Sequence, residues 1–238
     1  MENKILKNRH LFWKRIKLSI MPSVVFVFLL WIVFVVDHTQ LLDYNFSRLG
    51  IYPLKVKGII GIIFSPLVHA SLSHIASNTF PLLILITLIF FFYNQIAVKS
   101  ILLLWFLSGS FTWFIGRNAY HIGASGLIFA LVFFLFFSGI FRRYERLSAV
   151  SMIVVFIYGS TIWSIFPIAE LVDVKLSWES HLSGAVAGLI TAFVYRKEGP
   201  QKPDVVWEDD ESYNDDVDDE TENNFTTFVN QNIIINDE

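Results

Sequence analysis

Polar residues with side chains suited to acyl transfer stand at the starts of three apolar stretches. Ser125 lies in the string Gly123-Ala124-Ser125-Gly126, His181 opens a later apolar stretch, and His74 and Asn78 open an earlier one. A serine hydroxyl becomes a nucleophile when a base within hydrogen-bond reach takes its proton. An unperturbed imidazole can be neutral near pH 7 and so can act as that base. The residue types therefore predict nucleophilic chemistry.

The pair His74 and Asn78 fits a second requirement of that chemistry. The two residues are four apart and share one face of a helix, and both carry N–H groups of the kind that hold an oxyanion. The backbone N–H of Ser125 at a helix N-terminus is a third donor. A purely structural role stays open for each of these residues. His74 and Asn78 could form a local polar contact between turns, and His181 could be a histidine hydrogen-bonded at a helix interface. The small residues around Ser125 could serve only close helix packing.

The elements that must position these residues are membrane spans. The 238 residues are 54% hydrophobic, include 24 Phe and have a mean hydropathy of +0.55, and the apolar residues are concentrated in blocks long enough to cross a bilayer. Six spans are predicted, namely Leu18 to Val36, His74 to Tyr93, Ser100 to Ile115, Ala124 to Phe141, Ser148 to Phe166 and His181 to Tyr195. The fold class is thus an all-α membrane protein with a six-helix bundle.

The distribution of basic residues predicts the orientation of the bundle. With the N-terminus inside, the inner segments hold 12 Lys/Arg and the outer loops hold five, which favours an N-in, C-in arrangement. In that topology the spans that begin with His74, Ser125 and His181 all run from outside to inside. Their polar residues therefore meet at one depth in the outer half of the bilayer, where hydrogen-bonding groups are usually functional.

Three regions follow from composition. Residues 1–17 form a basic cytoplasmic N-terminus with six Lys/Arg, residues 18–197 form the membrane domain, and residues 198–238 form an acidic cytoplasmic tail with the default expectation of disorder. Residues 37–73 read as a long loop, and its apolar patch 58–64 is expected to lie in the membrane interface. The loop 167–180, which carries Glu170, Asp173, Lys175 and Glu179, is expected to be solvated.

Small residues recur in two of the spans. Gly184 and Gly188 follow His181, and Gly126 and Ala130 repeat the same spacing in the fourth span. Small faces let helix backbones approach closely. That closeness is what Ser125 and His181 need in order to touch.

Taken together, these strings resemble the rhomboid intramembrane serine proteases over roughly residues 60–195. The matching residues are His69-x4-His74-x3-Asn78, Gly123-Ala124-Ser125-Gly126, and His181-Leu182-Ser183-Gly184 with Gly188. The resemblance implies a six-helix bundle around a water-filled cavity that opens to the outside. It implies a Ser125–His181 dyad without an acid, an oxyanion hole of His74, Asn78 and the Ser125 amide, and a cavity-lining role for His69 in water retention.

The resemblance also implies the kind of substrate. Single-span membrane proteins would be cut within or beside their helix, near small and helix-loosening residues, because a helical peptide bond must unwind before attack.

This chain departs from the family pattern at two places. Many family members have Tyr four residues after the serine, packing on the catalytic histidine, where this chain has Phe129. The loop 37–73 lacks the Trp-Arg pair found in part of the family. Neither departure removes a catalytic atom.

Other function classes fit the sequence less well than a serine protease. His69 and His74 do not share a helix face, and the chain has neither Cys nor an H-E-x-x-H string, so no metal and no cofactor is predicted. No basic nucleic-acid patch is visible, and the partners expected are substrate proteins and the lipid bilayer. A transporter would carry charges at mid-depth. The main alternative is a catalytically silent rhomboid-like protein that binds membrane helices; a bacterial inner membrane is expected by resemblance.

Overall fold

The computed structural model describes residues 2–166 and 177–203 of the chain. Its helices are α1 Glu2–His38, α2 Gly61–Phe64, α3 Leu72–Phe92, α4 Ala97–Ile115, α5 Ser125–Arg142, α6 Glu145–Tyr158 and α7 Trp178–Val194. Short 3-10 segments cover Phe46–Leu49, Val56–Gly58, Ser65–Leu67 and Gly159–Ile165. Within the described ranges the only β pairing is an isolated antiparallel bridge between Ile51 and His121. The predicted all-α class is confirmed.

Five of the helical stretches are long and apolar enough to cross a bilayer. They are Arg9–His38, Leu72–Phe92, Ala97–Ile115, Ser125–Arg142 and Glu145–Ile165. The chain is therefore an integral membrane protein with a helical bundle, since helices satisfy their own backbone hydrogen bonds in lipid. Helix α7 has 17 residues, a length of about 26 Å at 1.5 Å per residue, which is less than the roughly 30 Å of a hydrocarbon core. The sixth span therefore stays a prediction, and so does the orientation.

Helix α5 lies at the centre of the bundle. In its spanning stretch 61% of the residues are buried, against 28–33% in the other four, and it packs against α3, α4, α6 and α7. Side chains such as Leu131, Phe134 and Leu135 are fully enclosed. Helix α6, in contrast, exposes Phe156 over 92% of its surface, as a lipid-facing helix does. The first residue of α5, Ser125, is therefore carried by the most enclosed element.

Glycines set the separation of α5 and α7. A methyl group added at Gly184 would overlap the carbonyl oxygen of Gly126. One added at Gly188 would lie 2.5 Å from the carbonyl oxygen of Ala130. The two backbones thus touch where the spacing of small residues predicts a close approach, and this brings the first turns of the two helices together.

The segment 37–73 differs from the long loop expected from its mixed composition. It contains α2 and three 3-10 segments, and it is packed onto α4. The indole Nε1 of Trp105 donates to the carbonyls of Ile62 and Ile63 at 3.1 Å, and Trp113 Nε1 donates to the Lys55 carbonyl at 3.1 Å. These two indole N–H groups donate to backbone carbonyls of the segment and so hold it against α4, a pairing that composition does not reveal.

Arg142 closes the opposite end of the bundle. Its guanidinium is 6% exposed and donates to the carbonyls of Tyr195 at 2.7 Å, Glu198 at 2.6 Å and Pro200 at 3.2 Å, and to Ser138 Oγ at 3.1 Å. The first residues of the predicted tail therefore lie against α5. The rest of the tail, residues 204–238, and Asp173 in the loop before α7 lie outside the described residues.

Candidate active site

The structure brings Ser125 and His181 into direct contact. Ser125 is the first residue of α5 and His181 lies in the first turn of α7. Ser125 Oγ is 3.0 Å from His181 Nε2, within the usual range of a hydrogen bond. The imidazole is 4% exposed. The arrangement is that of a nucleophile beside a base, without an intervening group.

The other nitrogen of His181 determines which tautomer is present. His181 Nδ1 lies 3.1 Å from the carbonyl oxygen and 3.0 Å from the Oγ of Ser164. A carbonyl only accepts, so Nδ1 carries the proton. The Ser164 hydroxyl donates to the Thr161 carbonyl at 2.7 Å, which leaves its oxygen free to accept as well. The lone pair of Nε2 therefore faces Ser125, whose hydroxyl donates to it, and this is the form that a general base requires.

Phe129 covers one face of the same imidazole. Its ring centroid is 4.4 Å from that of His181 and the ring planes are inclined by 19°. Phe129 is one turn after Ser125 on α5 and is buried. The stacked ring is therefore present at the position where the resemblance leads us to expect Tyr, and the backbone and side chain of Ser164 hold the edge of the imidazole.

His69 and Asn78, two of the residues predicted for the site, are bonded to each other. Asn78 Nδ2 donates to His69 Nε2 at 3.0 Å, and both side chains are buried. Burial, together with the nearby His74, lowers the pKa of His69 to about 4, so its ring is neutral at pH 7 and accepts this bond. One of the two amide N–H groups of Asn78 is thereby occupied, and the second is the one left for an oxyanion.

His74 lies against the turn that leads into α5. A methyl group at Gly123 would be 2.5 Å from His74 Cε1 and 2.6 Å from Nε2, and Gly123 has a φ of +104°. The ring nitrogens of His74 bond to none of the residues described, and the ring packs edge to face with His69 at a centroid distance of 5.0 Å. The His74 ring thus lies against Gly123, two residues before Ser125 in the chain, and its N–H group bonds to none of the described residues.

Gly123→Ala is expected to lower any activity of this site by about 10- to 100-fold, because misplacement of a group by about 1 Å can cost 100-fold. The added methyl group displaces His74, and a residue with a side chain is strained at this φ. The matched control is Gly199→Ala, since Gly199 also has a positive φ, +74°, but its added methyl group meets only the Ile96 side chain. Equal activity losses in both variants would contradict the prediction.

A small cavity lies beside the start of α5, between α4, α5 and the first turn of α7. Its volume is about 20 Å³, which exceeds the roughly 10–15 Å³ that a cavity needs in order to hold one water molecule. Hydroxyl-bearing residues line much of it, among them Ser108, Thr112 and Ser180. The cavity is thus polar enough and large enough to hold water next to the Ser125–His181 pair.

Three neighbours of the dyad were missed or assigned a different role by sequence reasoning. Ser164 lies within a predicted span and carried no assignment, although a hydroxyl near the end of an apolar span is a signal. Glu179, expected in a solvated loop, lies in the first turn of α7 and is 2% exposed, so that expectation is wrong; the helix begins earlier than its apolar run. His121, in the loop before α5, is buried and bonded to Ser177.

Comparison with known proteins adds a family to this geometry. The model of the Rhomboid domain family matches residues 57–198. An uncharacterized protein of Mycobacterium tuberculosis is 38% identical over 177 residues, covering 71% of this chain and 72% of its own length. An uncharacterized protein of Mycobacterium leprae is 33% identical over 193 residues, covering 79% of this chain and 74% of its own.

Proposed function

The chain belongs to the rhomboid family, and from this premise and the dyad geometry we propose that it is a serine endopeptidase that cuts membrane proteins within or beside their spanning helices. The observation that supports the proposal most strongly is the 3.0 Å contact between Ser125 Oγ and His181 Nε2, with the partners of Nδ1 assigning the basic lone pair to Nε2. A protein that only binds helices has no need of this tautomer.

The proposed reaction has two acyl-transfer steps. Ser125 Oγ attacks the scissile carbonyl carbon while its proton passes to His181 Nε2. The resulting oxyanion accepts hydrogen bonds from the Ser125 backbone N–H, the His74 ring and the second N–H of Asn78. His181 then protonates the leaving amine, which leaves an acyl-enzyme. A water molecule attacks the ester while its proton passes to His181 Nε2. His181 then returns that proton to the departing Ser125 Oγ, which releases the carboxylic acid and restores the Ser125 hydroxyl.

The proposed setting is a six-span bundle in a bacterial cell membrane, with both termini in the cytoplasm. The excess of Lys/Arg on the inner side supports the orientation, and the mycobacterial relatives support a bacterial source. In this arrangement the dyad lies toward the outer surface, residues 1–17 are a basic cytoplasmic segment, and residues 198–238 are an acidic cytoplasmic tail. Water reaches the site from outside.

The test uses the full-length protein in liposomes with a single-span reporter that has helix-loosening residues near its outer end. Two reporter fragments are expected, together with a fluorophosphonate adduct that mass spectrometry locates on Ser125. The alternative is a catalytically silent helix-binding protein. It predicts that the reporter copurifies with the protein and remains intact, and that the fluorophosphonate does not label Ser125. That second result would overturn the proposal.

A further inference from the structure

A second serine–histidine contact joins the same two parts of the chain. His121 is four residues before Ser125, and Ser177 is four residues before His181. His121 Nδ1 lies 2.6 Å from Ser177 Oγ. The bond His121–Ser177 thus accompanies the bond Ser125–His181, with the histidine and the serine exchanged between the two segments. We call this contact the upstream link.

His121 is held on several sides and so is a fixed point. Its backbone N–H donates to the Ile51 carbonyl at 2.8 Å, and its own carbonyl accepts from the Ile51 N–H at 2.9 Å. Its ring Nε2 donates to the Arg117 carbonyl at 3.0 Å. Since a carbonyl only accepts, Nε2 carries the proton and Nδ1 accepts from the Ser177 hydroxyl. The side chain is 4% exposed, and burial lowers its pKa, which favours the neutral ring that this assignment needs.

Ser177 is the residue at which α7 begins. Its Oγ accepts from the Ser180 backbone N–H and so caps the helix, and it lies 2.8 Å from Ser180 Oγ. The buried carboxylate of Glu179 lies 3.4 Å from Ser177 Oγ and 3.7 Å from Arg117 Nε. The start of α7 is therefore tied to the 117–121 segment by a hydroxyl and by an ion pair.

We infer that His121 and Ser177 are positioning residues that set the axial register between Ser125 and His181. The glycine contacts of α5 and α7 limit how closely the two axes approach, but they do not by themselves prevent one helix from sliding along the other. The upstream link connects the segments four residues before each member of the dyad and opposes that sliding. Neither residue touches the reacting atoms, and the inference rests on the proposed hydrolytic reaction of Ser125.

The experiment compares His121→Ala, Ser177→Ala and the double variant in the full-length protein in liposomes. The rate of fluorophosphonate labelling of Ser125 and the kcat for reporter cleavage are each expected to fall about 10- to 100-fold, with KM nearly unchanged, because the nucleophile is less well aligned with its base. The double variant should lose no more than the more impaired single variant, since both remove one bond. If Ser177→Ala acted instead only by removing the cap of α7, its loss of rate would add to that of His121→Ala in the double variant.

Conservative variants and a matched control separate positioning from folding. Ser177→Thr keeps a hydroxyl and His121→Asn keeps an acceptor at the Nδ1 position, so both should recover most of the lost kcat. Ser23→Ala removes another buried hydroxyl that joins two helices, through Thr87 Oγ1 at 2.9 Å, and is expected to leave kcat unchanged. Thermal unfolding of each variant shows whether the protein has folded.

The outcomes distinguish this inference from the proposed function. If Ser125 of the wild type is labelled and the His121 and Ser177 variants react at the same rate, the positioning role is overturned while the protease proposal stands. If losses in the two single variants multiply in the double variant, the upstream link is not the cause and the inference is again overturned. If the wild type is not labelled at all, the proposed function itself fails.

Discussion

Replacing Ser125 by alanine is expected to abolish both reporter cleavage and fluorophosphonate labelling. The substitution removes the atom that is proposed to attack the carbonyl, and it should leave the fold intact because alanine is smaller than serine and introduces no clash. Loss of a catalytic serine or histidine from a comparable unit costs about 10⁶-fold in kcat, which lies below detection for a membrane assay. His181→Ala should have a similar effect, and the double variant should be no worse than either, since the two residues act as one unit.

The control for the dyad variants is Ser100→Ala. Ser100 is fully buried on α4 and its hydroxyl bonds to none of the described residues, so its removal should leave cleavage and labelling unchanged. A Ser125→Ala protein that still cuts the reporter, after repeated purification, would show that another nucleophile is responsible. A His181→Ala protein with an unchanged labelling rate would remove His181 from the mechanism.

Gly184→Ala is expected to impair both stability and activity. The added methyl group overlaps the carbonyl oxygen of Gly126, so α7 must move away from α5 and carry His181 away from Ser125. Overpacking of this kind costs about 1–3 kcal/mol of stability, and a displacement of about 1 Å costs about 100-fold in rate. Thermal unfolding and reporter cleavage measure the two effects.

Gly159→Ala is the control for this helix-interface substitution. A methyl group at Gly159 meets only Val155 Cγ1 at the ordinary distance of 3.6 Å, and the backbone there is helical. This variant should be as stable as the wild type or slightly more so, because alanine favours helix by about 1 kcal/mol over glycine. A Gly184→Ala protein that behaves like Gly159→Ala would show that α5 and α7 are not in contact at Gly126.

Much of the bundle could be predicted because hydropathy and length determine spans. The predicted starts and ends of the second to fourth spans differ from α3, α4 and α5 by three residues or fewer. The fifth prediction, Ser148 to Phe166, merges α6 with the 3-10 segment Gly159–Ile165, because both are apolar and hydropathy does not distinguish their backbones. That distinction matters, since Ser164 belongs to the 3-10 segment.

The site could be predicted only where a residue type carries its own signal. Ser125 and His181 stand out as polar groups at the starts of spans, and the small residues around them indicate a close approach. Ser164 bonds to His181 partly through its backbone carbonyl, which every residue possesses, so that part of its contact leaves no mark in the sequence. Glu179 resembles a loop charge until the helix start is known. The pairing of His121 with Ser177 depends on two distant loops meeting, and local sequence contains no information about that distance.

The Arg142 contacts at the far end of the bundle set a limit on how far the chain can be shortened. Three backbone carbonyls, the last at Pro200, accept hydrogen bonds from a buried guanidinium that has no carboxylate among its hydrogen-bond partners in the described structure. A stop codon placed after Tyr195 would remove two of those acceptors and leave a cation partly unsatisfied in an apolar setting, which is costly. The residues up to Pro200 are thus needed to complete the contacts of Arg142, although composition assigns Glu198 and Pro200 to the tail.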